Sequence, residues 1–241
     1  MGPVTNILVT HARKGGVGKT TLAYELAWLL GGILVDLEYN YGSATVKWGY
    51  RPETRVRSIL VDSVLKDRTP KPLQGYKKPR LVPGDPLILE DPFTADQMAD
   101  SLLRWGKEWD TDWIVVDTHN DAKPHTLGAL SVANVVVSPC PVKVSELDAT
   151  EQLVNEMADY PIVLVPNMVP RTAHAGLVNR LGRIIDGTPV QVGPLVPEAP
   201  LVGIRTKRIA ITAEDKPAKK LQAFADALGS VADYVKEYVN E

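Results

Sequence analysis

Lys19 and Thr20 close the run Gly15-Gly16-Val17-Gly18-Lys19-Thr20-Thr21. That combination suits a polyphosphate. Glycines let the backbone turn tightly and aim several N–H groups at an anion. The helix that follows adds its positive N-terminal end. Lys19 supplies a point charge for the β- and γ-phosphates, and Thr20 a hydroxyl for Mg²⁺. Two apolar runs end in carboxylates: Ile33-Leu34-Val35-Asp36-Leu37-Glu38 and Trp113-Ile114-Val115-Val116-Asp117-Thr118. Ligands of open α/β sheets sit at the carboxyl ends of strands, so these acids belong beside the phosphates. Thr20, Asp36 and Asp117 are the candidates for Mg²⁺, which Asp117 would hold through water because Mg²⁺ keeps much of its hydration shell. His119 follows the second run, where a lone histidine is more often an incidental polar group than a participant.

These residues need a sheet to present them. The apolar run at 4–10 reads as the first strand, and Leu22, Leu26, Leu29 and Leu30 give helical spacing after the glycines. Gly31-Gly32 stops that helix. Residues 33–38, 113–118, 133–141 and 162–167 read as buried parallel strands. One short strand is expected between Leu81 and Leu89, and a last one between Thr188 and Pro200. Helices are expected over 43–66 in two pieces broken at Arg51-Pro52, from Thr94 to Lys107 with Thr94 and Gln97 at capping-box spacing, from Ser145 to Ala158, from Arg171-Thr172 onward, and over 217–239. The fold class is α/β, a mostly parallel central sheet with helices on both faces.

Composition sets limits. The chain has 241 residues and a formal net charge of -2, so any nucleic-acid contact must come from a local patch. The single cysteine, Cys140, excludes an internal disulfide and fits a reducing cytoplasm. No apolar run reaches membrane-spanning length, and no signal peptide is evident. Two basic stretches stand out. Residues 69–80 are Pro-rich and basic, read as a solvated connector or as a contact surface for a partner protein or DNA. Residues 205–220 hold Arg205, Lys207, Arg208, Lys216, Lys219 and Lys220 against Glu214 and Asp215. They read as a solvated positive face or as a phosphate-binding patch.

Lys14, directly before the glycines, makes the loop KGGVGKT. This resembles the deviant Walker A motif of the ParA/MinD family of P-loop ATPases. The stretch from Val35 to Thr45 resembles the family's VDxDPQGxAT, with Glu38 where an Asp is expected, Tyr39 in place of a proline, and Tyr41 extra. His119-Asn120 stands where Pro-Pro is common. Asn167-Met168 with Arg171-Thr172 is similar to a strand end whose Asn reads the adenine edge, and Val196-Pro197 to Pro200 resembles a segment that packs on adenine.

The resemblance implies a single P-loop ATPase domain over 1–241 without an N-terminal helix-turn-helix domain, most like short plasmid partition ParA proteins. It implies ATP and Mg²⁺ as cofactors, with Gly15, Gly16, Val17, Gly18, Lys19, Thr20, Thr21, Asn167, Arg171 and Pro197 on the nucleotide. Lys14 would reach the partner's phosphates in an ATP-dependent homodimer, and Asp36 or Glu38 would orient the attacking water. Arg205, Lys207, Arg208, Lys216, Lys219 and Lys220 would bind non-specific DNA, and a ParB-type centromere-binding partner would stimulate hydrolysis. The expected location is the cytoplasm, on the nucleoid. Alternatives are a MinD-like membrane-associated positioning ATPase and a related P-loop enzyme such as a bacterial tyrosine kinase. A membrane-surface helix is basic on its polar face, whereas residues 221–241 are acidic there.

Overall fold

The computed structural model describes residues 5–38, 43–51 and 58–241. The expectations about Tyr39, Tyr41 and the break at Pro52 lie outside the described residues. The chain order is β1 (Asn6–Thr10), α1 (Lys19–Leu29), β2 (Ile33–Asp36), α2 (Ala44–Trp48), α3 (Ile59–Leu65), β3 (Arg80–Val82), α4 (Ala95–Trp109), β4 (Trp113–Asp117), α5 (Pro124–Ser131), β5 (Val135–Pro141), α6 (Val144–Met157), β6 (Ile162–Asn167), α7 (Ala175–Ile185), β7 (Gln191–Val192) and α8 (Lys219–Tyr238).

The strands form one seven-stranded sheet in the order β3-β2-β4-β1-β5-β6-β7, and every pairing between neighbours is parallel. This is the α/β architecture that the apolar runs predict, in the P-loop NTPase-like form that the resemblance implies. Alternation along β1 shows how both faces are covered. Ile7 and Val9 join a core with α3, α4, α5, α6 and α7, whereas Leu8 joins a second core with α1 and α8. Leu221, Phe224, Leu228, Val231 and Val235 of α8 are buried in that second core, so this helix packs on the sheet. Among the described residues, no helix is long and apolar enough to cross a membrane.

Several local expectations change. The β2 strand stops at Asp36, two residues before Glu38. The last strand shrinks to Gln191–Val192 at the sheet edge, with both residues exposed. The helix expected at Arg171-Thr172 begins at Ala175 instead. The α4 start is as the sequence predicts: Thr94 accepts from Gln97 N and Gln97 returns the bond, a complete capping box. Unexpected from sequence is α5, which packs against α4 so closely that a Cβ at Gly128 would overlap the Ala95 carbonyl.

Candidate nucleotide-binding site

The loop between β1 and α1 lies at the centre of the sheet, where chain connections diverge to the two sides. Open α/β sheets form ligand crevices at such points. Gly16 and Gly18 have φ of 77° and 103°, the left-handed region that side chains avoid. A Cβ at Gly18 would also overlap the Asn167 amide. Gly18 is the N-cap of α1, so the helix start and its N–H groups open directly onto the loop. Lys19 is buried at 7% exposure, which a cation tolerates only where an anion or a carboxylate compensates it.

Two carboxylates stand side by side beyond the loop. Asp36 and Asp117 are register partners at the ends of β2 and β4, and both are fully buried. Their hydrogen bonding differs. Both Asp36 oxygens are hydrogen-bonded: Oδ1 accepts from Glu38 N at 3.0 Å, and Oδ2 from Thr45 N at 2.6 Å and Thr45 Oγ1 at 2.5 Å. Thr45 Oγ1 in turn accepts from Gly84 N at 2.8 Å. Asp36 therefore ties β2, α2 and the loop after β3 together. Asp117 Oδ1 accepts from Thr10 Oγ1 at 3.2 Å, but Oδ2 is buried without a hydrogen-bond partner.

Burial pushes both carboxyls above the ordinary carboxylate range. At Asp36 the neighbouring Asp117 adds to the rise, while Thr45 opposes it. At Asp117 the Thr20 hydroxyl and the Lys19 charge oppose it. A buried, unpartnered carboxylate oxygen beside a threonine hydroxyl is an oxygen donor set that suits Mg²⁺. Thr20 and Asp117 fit that ion better than Asp36, whose oxygens are occupied. A bound Mg²⁺ would neutralise phosphate charge here. Among the described residues, no group of three or more His, Cys, Asp or Glu side chains is arranged to hold a metal by itself.

The loop opens into a cleft of about 1040 Å³. Its lining includes Gly15, Gly16, Gly18, Lys19, Thr20 and Thr21 of the loop, with Glu38, His119, Met168, Glu198, Ala199, Pro200 and Val202. Asn167 sits at the end of β6, 4% exposed, and donates from Nδ2 to Val17 O at 2.7 Å. It therefore braces the loop directly. Val17 itself is buried. Pro197 bridges to Val169, and the three residues after it reach the cleft wall. Arg171 is exposed and outside the lining residues.

Lys14 points elsewhere. Its Nζ donates to Ser145 Oγ at 2.7 Å and lies 3.0 Å from Glu146 Oε1, at the start of α6. The hydrogen bond from Lys14 leads the interactions that hold the Glu146 carboxyl below its ordinary range. The pair is half-buried, with side-chain exposures of 39% for Lys14 and 19% for Glu146.

The basic run divides. Arg205 pairs with Glu214 and donates to Lys207 O and Ile209 O at 2.8 and 2.7 Å. Lys207 shares Glu214 at 3.3 Å. Arg205, Lys207 and Arg208 all line the nucleotide cleft. Lys216, Lys219 and Lys220 are exposed at the start of α8. That helix start has no side-chain cap and no acid in its first turn. The six residues thus form two groups rather than one face.

Residues that support the cleft from behind carry weak sequence signals. Glu25 is fully buried in α1 and accepts from Ile211 N at 2.9 Å, Thr212 N at 3.0 Å and Thr212 Oγ1 at 2.8 Å. Tyr24 donates to Arg208 O at 2.7 Å. Together they clamp segment 208–212 to the loop helix. The signal was present: Tyr24-Glu25 interrupts an otherwise apolar helix. Lys47 of α2 lines the cleft, over the Tyr24 ring at 5.1 Å, and burial lowers its pKa.

The histidines near the site form a polar group. His11 Nδ1 lies 2.9 Å from Thr118 Oγ1, and burial, then Lys19 and Arg13, push its pKa down to about 4. His119 Nδ1 lies 3.0 Å from Asp121 Oδ2, and its Nε2 lies 3.8 Å from Glu38 Oε1. Burial alone would raise the Asp121 carboxyl. The Lys123 N–H, His125, Thr126 and His119 outweigh it and hold that carboxyl below the ordinary range.

No family model matches the chain. The chromosome-partitioning ATPase Soj of Thermus thermophilus is 29% identical over 161 residues, 65% of this chain and 63% of that protein, less than two thirds of the relative's own length. Among solved structures, an ATP complex of McdA from Cyanothece superposes with a TM-score of 0.74 at 16% identity, covering 99% of this chain and 98% of the other. The cell division ATPase MinD of Pyrococcus furiosus gives 0.74 at 17% identity, covering 98% and 99%. Cobyrinic acid a,c-diamide synthase from Mycobacterium smegmatis with ADP and magnesium gives 0.72 at 20%, covering 98% and 96%. At such identities the structural likeness establishes the fold.

Proposed function

We propose that this chain, whose sequence and fold resemble those of the ParA/MinD family of deviant Walker A P-loop ATPases, is a DNA-partition ATPase of the ParA type. In this reading the loop from Gly15 to Thr21 holds the phosphates, with Lys19 compensating their charge. Thr20 and Asp117 hold Mg²⁺. The cleft wall from Glu198 to Val202 takes the adenine, and Asn167 keeps the loop in shape. Two chains close face to face, and Lys14 exchanges Glu146 for the partner's phosphates. Glu38 orients the attacking water. The closed pair binds DNA without sequence preference, and a centromere-bound partner of the ParB type triggers hydrolysis and release.

The observation that carries the nucleotide part is the unpartnered Asp117 oxygen beside Thr20 in a glycine-shaped loop. The DNA part is supported by Lys216, Lys219 and Lys220. Cations at an uncapped helix N-terminus oppose the helix dipole, an arrangement that costs stability unless an anion is bound. Arg205 is excluded from the DNA set here because Glu214 and two carbonyls hold it. A MinD-type membrane role is disfavoured by the acidic polar face of α8.

Gel retardation of a random DNA fragment, with and without Mg-ATP, tests the reading. Retardation that requires ATP supports it, and equal binding in both conditions contradicts the switch. Liposome pelleting with Mg-ATP separates the MinD-like alternative.

A further inference from the structure

We propose that the two basic sequence stretches fold into one surface for the phosphate backbone of duplex DNA, in which residues 76–78 lie beside the start of α8 and Asp215 is the acid that limits binding; this deepens the DNA-partition reading above and rests on it. Leu73 N donates to Leu81 O at 2.7 Å and Leu81 N to Leu73 O at 3.0 Å. These bonds close a loop whose tip carries Tyr76, Lys77 and Lys78. The tip is tied to the second basic stretch at two points. Lys77 O accepts from Ala210 N at 2.9 Å, and Lys77 Nζ donates to Asp215 Oδ1 at 2.9 Å. Lys216 follows Asp215 directly, and the exposed Lys219 and Lys220 open α8. Lys78 donates to Trp48 O at 2.7 Å and lies over the Trp48 ring at 4.5 Å. Burial, then the nearby Arg208 charge, lowers its pKa. Cations from the two stretches therefore adjoin at two places.

Like charges gathered in this way repel unless a counter-charge offsets them. The local acids do not. Glu214 is taken by Arg205 and Lys207, and Asp215 by Lys77. Among the described residues, no carboxylate pairs with Lys78, Arg208, Lys216, Lys219 or Lys220. A polyanion supplies the missing charge. Tyr76 is 79% exposed beside them, and its hydroxyl suits a phosphate oxygen. It is also the one large apolar side chain exposed in either stretch, so the surface lacks the apolar face that lodges in a membrane. Arg80 belongs to the same sequence stretch but turns away, donating to Gly31 O at 2.9 Å and Thr111 Oγ1 at 3.2 Å.

Asp215 sets the strength of this surface. Its side chain is 91% exposed among the lysines, where it repels phosphate and occupies Lys77. Loss of its charge should release Lys77 to the DNA.

The test is fluorescence anisotropy of a labelled random-sequence duplex with Mg-ATP over a series of salt concentrations. Asp215→Asn should tighten binding about three- to tenfold and steepen the slope of log K against log salt by about 0.9, the value of one added phosphate contact. Adding Lys77→Ala should cancel that gain, because the two residues act as a pair. Lys78→Gln, which keeps a donor for Trp48 O, should weaken binding about three- to tenfold and flatten the slope by a similar amount. Arg80→Gln should change neither. A gain from Asp215→Asn that survives Lys77→Ala would overturn the shared surface, as would wild-type binding by both Asp215→Asn and Lys78→Gln. Either result leaves the DNA reading standing, because the wild-type protein still binds. A wild-type protein that binds vesicles of anionic lipid but not the duplex, or that binds neither, overturns both.

Discussion

The P-loop and the basic run of residues 205–220 are both cation-bearing segments that the sequence assigns to phosphate, yet they fold by different rules. In the loop, two left-handed glycines fix the backbone, and the backbone then fixes where Lys19 and Thr20 go. In the run, no backbone constraint accompanies the charges. The side chains part: Arg205 and Lys207 go to Glu214, Arg208 lines the cleft, and Lys216, Lys219 and Lys220 are exposed. A motif that dictates dihedral angles also dictates direction. A count of charges does not.

The largest expected effect falls on the loop. Lys19→Ala removes a buried charge partner of the phosphates and should weaken ATP binding by about 10²–10³-fold, read by calorimetric titration. A change under tenfold would put the phosphates elsewhere in the cleft. Next comes the outer half of the basic run. Changing Lys216, Lys219 and Lys220 together to Ala should weaken ATP-dependent DNA binding about ten- to a hundredfold and flatten its salt dependence, since each lost phosphate contact removes about 0.9 from the slope. ATP affinity should not move. Arg205→Ala should behave in the opposite way: a stability loss of about 1–3 kcal/mol by urea melt and an unchanged salt slope. If it instead flattens the slope, the division of the run is wrong.

The smallest effect is a pH dependence. Asp36 and Asp117 have raised pKa values, so over the window above the ordinary carboxylate range the folded state binds more protons than the unfolded one. Stability from this pair is present at low pH and declines as pH rises through the raised values. His11 has a lowered pKa and works against this at acid pH, because its contribution is lost as pH falls below its ordinary value near 6.5. Above about pH 6.5 the carboxylate contribution should stand alone. The melting temperature of the nucleotide-free protein should fall there, and Mg-ATP should raise it by more at pH 8 than at pH 6.5. A Mg-ATP shift that shrinks with pH would contradict the role given to these carboxylates.

Much of the fold was legible because parallel strands buried on both faces are continuous apolar runs, and four of them end at chemically distinct residues or loops. Asp36 and Asp117 could be placed at strand ends for that reason. What remained hidden depended on contacts between distant segments. Helix α5 carries Gly128, a residue that weakens helix propensity, and its reason is the close approach of α4. The fate of Arg205 needed Glu214 to be seen folded back on it. Asn167 was readable as a functional strand end, but its bond to Val17 O spans distant parts of the chain. The burial of Glu25 depends on the distant segment 211–212, whose backbone N–H groups it accepts from.

The central claim is that Lys14 completes its partner's site rather than its own, although it rests on Ser145 and Glu146 of its own chain here. Mixing two inactive variants tests this directly. Lys14→Ala lacks the donated lysine, and Glu38→Gln lacks the water-orienting carboxylate. In a mixed dimer the Lys14→Ala chain keeps its own Glu38 and receives Lys14 from its partner. An equal mixture should therefore hydrolyse ATP at about a quarter of the wild-type rate, since half the dimers are mixed and one of their two sites is complete. A mixture no more active than either variant alone would show that Lys14 serves its own nucleotide, and would contradict the account.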